Sequence, residues 1–283
     1  MDHDELPLKE ASRDFLGNLC PYQPGENQLP TVSGNPRSRG CEIRVFSSDA
    51  EQNVGGIDVL QLYKETLPST VFFKMSGTAD GSGREAEGTK KIWGGSGVVI
   101  EKNGNSCLII TDNHVTDATP DQHVKVTDNK VVMANGKAYE GTVVARDESR
   151  DLALVKVDTG SQNDVCKPAK VAATEADGSQ QWLLAIGQPY TSGSLYTSLG
   201  QVIGRELRSS INNLIAPLPG EDPGRPVIVS TIAVRDGFSG GPAFDSKGRV
   251  TGLIDIGTGP GSSVITPLSE QIVSELKAKR TDK

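Results

Sequence analysis

Residues 235–244 read RDGFSGGPAF, and within them Gly237-Phe238-Ser239-Gly240-Gly241 fits the G-x-S-x-G pattern of a serine nucleophile held on a sharp turn. Two chain orders write this pattern. In one, the serine sits on the strand-to-helix elbow of a mixed α/β sheet and its histidine follows it; in the other, histidine and aspartate both come first. The chain has three histidines, His3, His114 and His123, and all precede Ser239. No imidazole remains after the serine to accept its proton, so the elbow order fails and the order His, Asp, Ser is left.

The surrounding sequence reads as all-β. Thirty-two Gly and 16 Pro recur between short Val/Ile/Leu-rich runs, the punctuation of a chain full of turns. Ahead of the serine lie STVFFKMS (69–76), SGVVIE (96–101), SCLIIT (106–111), HVKVT (123–127), KVVMA (130–134), YEGTVVAR (139–146) and LALVKV (152–157). Asn103-Gly104 and Asn135-Gly136 fall between such runs and predict tight hairpins, because type I′ turns need positive φ at both central positions. This half reads as an antiparallel meander. After the loop-like DTGSQNDVCKPAK (158–170) the pattern resumes with WLLAIG, SLYTSLGQVIG, VIVSTI, RVTGLIDI and SSVIT.

Helices bracket the strands. In IDVLQLYKETLP (57–68), Val59, Leu60, Tyr63 and Leu67 fall near one helical face, with Asp58 and Gln61 spaced as N-cap and N3. In TPLSEQIVSELKAK (266–279), Pro267 fits N1, Leu268, Ile272 and Leu276 repeat every four residues, and Lys277 and Lys279 suit a helix C-terminus. Two runs of about six strands predict two six-stranded antiparallel β-barrels, since closure removes exposed edges. The expected division is a loop-rich extension over 1–56 and a main domain over 57–283, with barrel one at about 57–172 and barrel two at about 173–283.

Bulk properties narrow the function classes. A net charge of −7 disfavours a nucleic-acid or anionic-membrane partner, both of which need a basic surface. No stretch approaches the roughly 18 to 20 continuous apolar residues of a membrane-spanning helix. The opening MDHDELPLKEAS lacks the basic end and apolar middle of a signal peptide, which leaves either a cytoplasmic protein or one whose leader has been replaced by Met1. Cys20 and Cys41 could pair, Cys107 inside CLII reads as a small core residue, and Cys166 has no evident role. No Cys/His spacing of zinc type occurs, so neither metal nor cofactor is expected.

The histidine and aspartate have candidates. His114 in IITDNHVTDA lies just beyond an apolar strand, where an imidazole can reach a cleft; alone it would read as a surface residue in a polar turn. Asp151 opens DLALVKV, and alone would read as a turn aspartate. A subtilisin-like order, Asp before His, could use Asp80 or Asp112 but demands a parallel sheet with crossover helices, which the pattern lacks.

TDNHV, DLALVKV, GQPYTSGSLYTSLGQVIG and STIAVRDGFSGGPAFDSKGRVTGL resemble the corresponding segments of trypsin-like serine proteases of the HtrA/DegP family, over about Ile57 to Leu276. The resemblance implies a chymotrypsin-like double barrel with His114, Asp151 and Ser239 meeting in the cleft. It implies an endopeptidase acting on unfolded or flexible polypeptide in protein quality control, in the periplasm or after secretion. By the same resemblance Gly237 and Ser239 supply the oxyanion-hole amides. The specificity pocket lies near Ala233 and Val234 with a wall over Ile254, Asp255, Ile256 and Gly257, suggesting small or medium aliphatic side chains while Asp255 keeps a basic preference open. Family members often trimerise through N-terminal segments, for which Phe15 and Tyr22 are candidates, and the family's C-terminal PDZ domain is not expected within residues 1–283.

Departures accompany the match. Digestive trypsins carry before the nucleophile an Asp that pairs with a newly cut amino terminus, and HtrA proteases usually carry Asn; this chain has Phe238. NVGGID (53–58) faintly echoes an activated terminus, but without that Asp the ion pair cannot form and no zymogen cleavage is expected there. Phe238 and the loop GTADGSGREAEGTKK (77–91) support the competing reading, a catalytically quiet relative that binds polypeptide or acts as a scaffold.

Overall fold

The computed structural model describes residues 53–54 and 57–282, except 84, 118–122, 161–164, 176–180, 189–195, 213–215 and 260–261. The expectations for Phe15, Tyr22, Cys20 and Cys41 lie outside the described residues. Helix α1 (Val59–Thr66) opens the domain, and Asp58 caps it as expected, accepting from Gln61 N–H at 2.8 Å, a bond worth about 1 kcal/mol.

Six strands follow: β1 (Thr70–Ala79), β2 (Lys90–Asn103), β3 (Ser106–Asp112), β4 (Val124–Val132), β5 (Ala138–Asp147) and β6 (Leu152–Asp158). They close into a barrel in the order β1-β2-β3-β6-β5-β4. The two Asn-Gly turns sit between β2 and β3 and between β4 and β5, but not in the expected type I′ geometry: only the glycine of each pair has positive φ, Gly104 at 56° and Gly136 at 76°, while Asn103 and Asn135 do not. The arrangement is not the meander expected from sequence: β3 pairs with β6 and β1 with β4. HVKVT and KVVMA also prove to be one continuous strand, β4, because Asp128-Asn129 sits in the ladder opposite Met75 and Ser76 and makes no turn.

The second barrel comprises β7 (Trp182–Gly187), β8 (Tyr196–Leu207), β9 (Pro226–Ser230), β10 (Pro242–Phe244), β11 (Arg249–Gly259) and β12 (Ser262–Pro267). Its order is β7-β8-β9-β12-β11-β10, closed by the β10–β7 pairing, so the two barrels repeat one topology. Lys170–Val171 adds a short parallel pairing to β11. Helix α2 (Asn113–Thr116) leaves β3, and helix α3 (Glu270–Ala278) ends the chain, capped by Ser269. Pro267 is therefore not N1 of the last helix as expected; it closes β12, opposite Gly252, and the helix starts three residues later.

Alternation along the strands explains their continuous apolar runs. Val71, Phe73, Met75, Ile109, Val155 and Val157 fill the first barrel, and Leu183, Ala185, Ile228, Phe238, Ile254 and Ile265 the second. Their neighbours Phe72, Ile110, Leu154, Leu184, Ile186 and Leu253 form a third layer between the barrels. Both faces are thus buried, and neither needs polar residues.

Cys107 is not the free core thiol suggested by CLII: it is bonded to Cys166, which ties β3 to the segment connecting the barrels. The apolar run hid this because both sulfurs are buried. The crosslink spans 59 residues, so its loss should release about 4 kcal/mol of chain entropy into the unfolded state. The double variant Cys107→Ser, Cys166→Ser should unfold in urea with about that much less stability, while reductant should lower the parent to the same level.

Candidate active site

Each element delivers one group to the cleft between the barrels. β3 ends at Asp112, and the single turn of α2 carries His114 outward. Facing it, a 3-10 turn (Glu148–Arg150) ends at Asp151, whose φ of 56° and ψ of 46° place a non-glycine residue in the left-handed region, costing on the order of 1 kcal/mol. Three hydrogen bonds secure it. Asn113 N–H donates to Asp151 O at 2.9 Å, His114 N–H donates to Asp151 Oδ1 at 2.9 Å, and His114 Nδ1 lies 2.6 Å from Asp151 Oδ2. An ionised carboxylate only accepts, so Nδ1 carries a proton, and in the neutral ring Nε2 is the nitrogen with a lone pair. The Asp151 side chain is almost sealed, while His114 keeps 23% exposure, enough for a reactant to reach it.

The Ser239 turn comes from the second barrel. Gly237 at φ 100° and Gly240 at φ 77° flank it, and Phe238 N–H and Gly241 N–H close the turn on Arg235 O (3.0 Å) and Phe238 O (2.8 Å). Among the described residues, the amides of Gly237 and Ser239 have no protein acceptor. Ser239 Oγ donates to the Asp255 carbonyl oxygen at 3.1 Å. The residue that sequence marked as a departure, Phe238, is among the largest fully buried side chains; its ring lies over Gly187, where an added Cβ would come within 2.6 Å of it. The turn is thereby pinned from below by apolar burial of about 2 to 3 kcal/mol.

Sequence reasoning missed the first barrel's hold on this turn. Ser96, in GGSGVV of β2, donates its N–H to Ser239 O at 2.8 Å and its hydroxyl to Gly237 O at 2.6 Å, while accepting from Gln188 N–H at 3.1 Å. The signal was present as small residues within a strand. Asp112 was also missed as part of this site: it is fully buried, Oδ2 accepts from Gly240 N–H at 2.7 Å, and Oδ1 has no partner.

Of the expected pocket residues, Ala233 and Val234 are half-buried, and Val234 faces Gly257, where a Cβ would sit 3.0 Å from its methyl group. Ile256 is exposed and Ile254 lies in the second barrel's core. Asp255 is 2.6 Å from the buried Arg225 guanidinium.

Asp112, His114, Asp151 and Asp255 each offer a side-chain ligand atom within 4.8 Å of the others. Those side chains already serve protein partners: Nδ1 and both Asp151 oxygens one another and the backbone, Asp112 Oδ2 Gly240, and Asp255 Oδ2 Arg225. What the cluster does is shape charge. Burial disfavours the charged imidazole, but Asp151 above all, with Asp112 and Asp255, outweighs it and pushes His114 up to about 10. Burial, reinforced by Asp151, pushes the Asp112 carboxyl well above the carboxylate range.

A sequence model of the trypsin-like peptidase domain matches residues 95–253. The chain is 31% identical over 159 residues to a probable periplasmic serine endoprotease DegP-like of Marinomonas sp. (strain MWYL1), covering 56% of this chain and 29% of that one. It is 25% identical over 250 residues to the serine protease Do-like HtrA of Lactococcus lactis subsp. cremoris (strain MG1363), covering 84% of this chain and 57% of that one. The chain thus spans less than two thirds of the length of these relatives. The crystal structure of the Rv3671c protease from M. tuberculosis, active form, superimposes with a TM-score of 0.56 at 22% identity, covering 78% of this chain and 85% of that one, a likeness of fold.

The raised Asp112 carboxyl has a measurable sign. Unfolded, it ionises near pH 4, whereas folded it holds its proton to higher pH, so its contribution to stability falls as pH rises above about 4. Asp112→Asn keeps an acceptor for Gly240 N–H and cannot ionise. Its stability relative to the parent, from urea unfolding at a series of pH values, should increase steadily from pH 4 towards neutrality.

Proposed function

The chain belongs to the trypsin-like peptidase family, and on that premise we propose that it is a serine endopeptidase. The observation that carries this is the His114 ring, oriented by Asp151 through Nδ1 and within 4.8 Å of an Asp255 side-chain oxygen, together with a Ser239 hydroxyl that donates to the carbonyl of the same Asp255 and a serine turn whose Gly237 and Ser239 amides have no protein acceptor among the described residues. In the proposed reaction His114 Nε2 takes the Ser239 hydroxyl proton as Oγ attacks the scissile carbonyl carbon, then hands it to the leaving amine as the acyl-enzyme forms. Water repeats the sequence and regenerates the serine. Asp151 fixes the tautomer and stabilises the imidazolium. Gly237 and Ser239 N–H receive the oxyanion, each worth about 3 kcal/mol in the transition state.

Burial of Phe238 supports a turn that is formed without amino-terminal cleavage. Engagement of Asp255 by Arg225 weighs against a basic preference, and Val234 against Gly257 favours small or medium aliphatic side chains before the cut bond. Unfolded or flexible polypeptide is the proposed substrate class, following the DegP-like and HtrA relatives. The Cys107–Cys166 bond favours an oxidising compartment, in keeping with the relatives named periplasmic.

A fluorophosphonate probe should label the parent and not Ser239→Ala, and His114→Ala should lower casein hydrolysis by about a thousandfold or more. A folded parent that takes no label would leave the scaffold reading in its place. In a peptide library, cleavage should follow small aliphatic residues, with cleavage after Lys or Arg counting against the assignment. Removing residues 1–53 should bring no large gain in activity.

A further inference from the structure

Behind the cleft lies a buried quartet of charges that the peptidase mechanism does not use. Glu221 Oε1 accepts from Arg208 Nε at 2.7 Å and from Arg225 Nε at 2.9 Å, and its Oε2 accepts from Leu218 N–H at 2.8 Å. Arg225 extends the chain of contacts, donating Nη1 to Thr266 Oγ1 at 2.9 Å and Nη2 to Asp255 Oδ2 at 2.6 Å. All four charged side chains are at most 7% exposed. Two guanidinium groups face two carboxyl groups; burial pushes the Asp255 carboxyl up, and the Arg225 guanidinium beside it opposes that shift.

Asp255 is also the residue whose carbonyl receives the Ser239 hydroxyl, and its carboxylate lies within 4.8 Å of a His114 ring nitrogen. Resting on the peptidase reading above, we propose that Asp255 is a second carboxylate acting on the His114 imidazolium beside Asp151, with Arg225 the positioning residue that holds it in place. Because Arg225 precedes β9 and its partner Glu221 also holds Arg208 and Leu218 N–H, the arrangement connects those residues to the charge at the catalytic base. The groups facing His114 are Asp151, Asp112 and Asp255; Arg146 approaches the same turn through Asn113 Oδ1 and Thr116 Oγ1, at 2.9 Å from the latter.

The sign follows from the charges. A negative carboxylate near the ring favours its protonated form, so His114 becomes a free base only at higher pH. Asp255→Asn removes that charge and leaves Arg225, which should move the acid limb of kcat/KM down by about one pH unit, a tenfold gain on that limb. Asp255→Asn with Arg225→Met removes both charges, and its limb should fall between the single variant and the parent. The His114 ring titration by NMR in the same proteins should shift in parallel, and this readout survives if the chain proves to have no peptidase activity. Fluorophosphonate labelling of the parent tests the peptidase reading separately. Should Asp255→Asn fail to fold, the charge-balanced double variant still predicts a limb and a ring titration below the parent's. A folded variant whose acid limb and His114 titration coincide with the parent's would overturn the proposal, leaving Asp255 as a purely structural partner of Arg225.

Discussion

The cleft depends on one close approach. At Gly240 the serine turn of the second barrel lies so near the first that a Cβ would stand 2.0 Å from Thr111 Oγ1 and 2.4 Å from Ser96 O. No side chain fits there, and the backbone conformation, φ 77°, is itself one that glycine favours. This proximity lets Ser96 bond Gly237 O and Ser239 O, and lets Asp112 bond Gly240 N–H. The serine turn therefore has its shape set from both sides: Phe238 buried in its own barrel, and β2 and β3 of the other.

The same seam concentrates carboxyl groups. Asp112 ends β3, Asp151 ends a 3-10 turn and Asp255 lies in β11, three elements that bring side-chain oxygens within 4.8 Å of one another and of a His114 ring nitrogen. Their charges are managed differently. Asp151 is answered by His114 and Asp255 by Arg225, while burial and the neighbouring Asp151 push the Asp112 carboxyl well above its ordinary range. A site with an imidazole amid three carboxyl groups is poised by protonation as much as by geometry.

Much of this was legible in sequence. Chain order alone excluded a serine elbow, and strand runs with Asn-Gly turns predicted two closed barrels, because both signals arise from local backbone and burial constraints. The failures were of another kind. Pairing of β3 with β6, and the Cys107–Cys166 bond, join residues far apart in the chain, and no local periodicity encodes them. Ser96 was overlooked, and Asp112 was weighed only for a subtilisin-like order, because a lone polar residue among glycines or at a strand end reads as turn chemistry until its partners are known. Phe238 stands out in the sequence as a departure from the family, but its role becomes visible only in the fold, where position 238 faces the barrel interior over Gly187 and anchors the serine turn by burial.

The disulfide bears on how such a molecule would survive damage. Cys107 belongs to the first barrel and Cys166 to the connection leading to the second, with residues 108–165 between them, His114 and Asp151 included. A single break in the backbone anywhere in that interval leaves both fragments covalently joined through sulfur. The histidine-bearing and serine-bearing parts would still diffuse as one particle, and a chain nicked by another copy of itself would keep its two barrels in register.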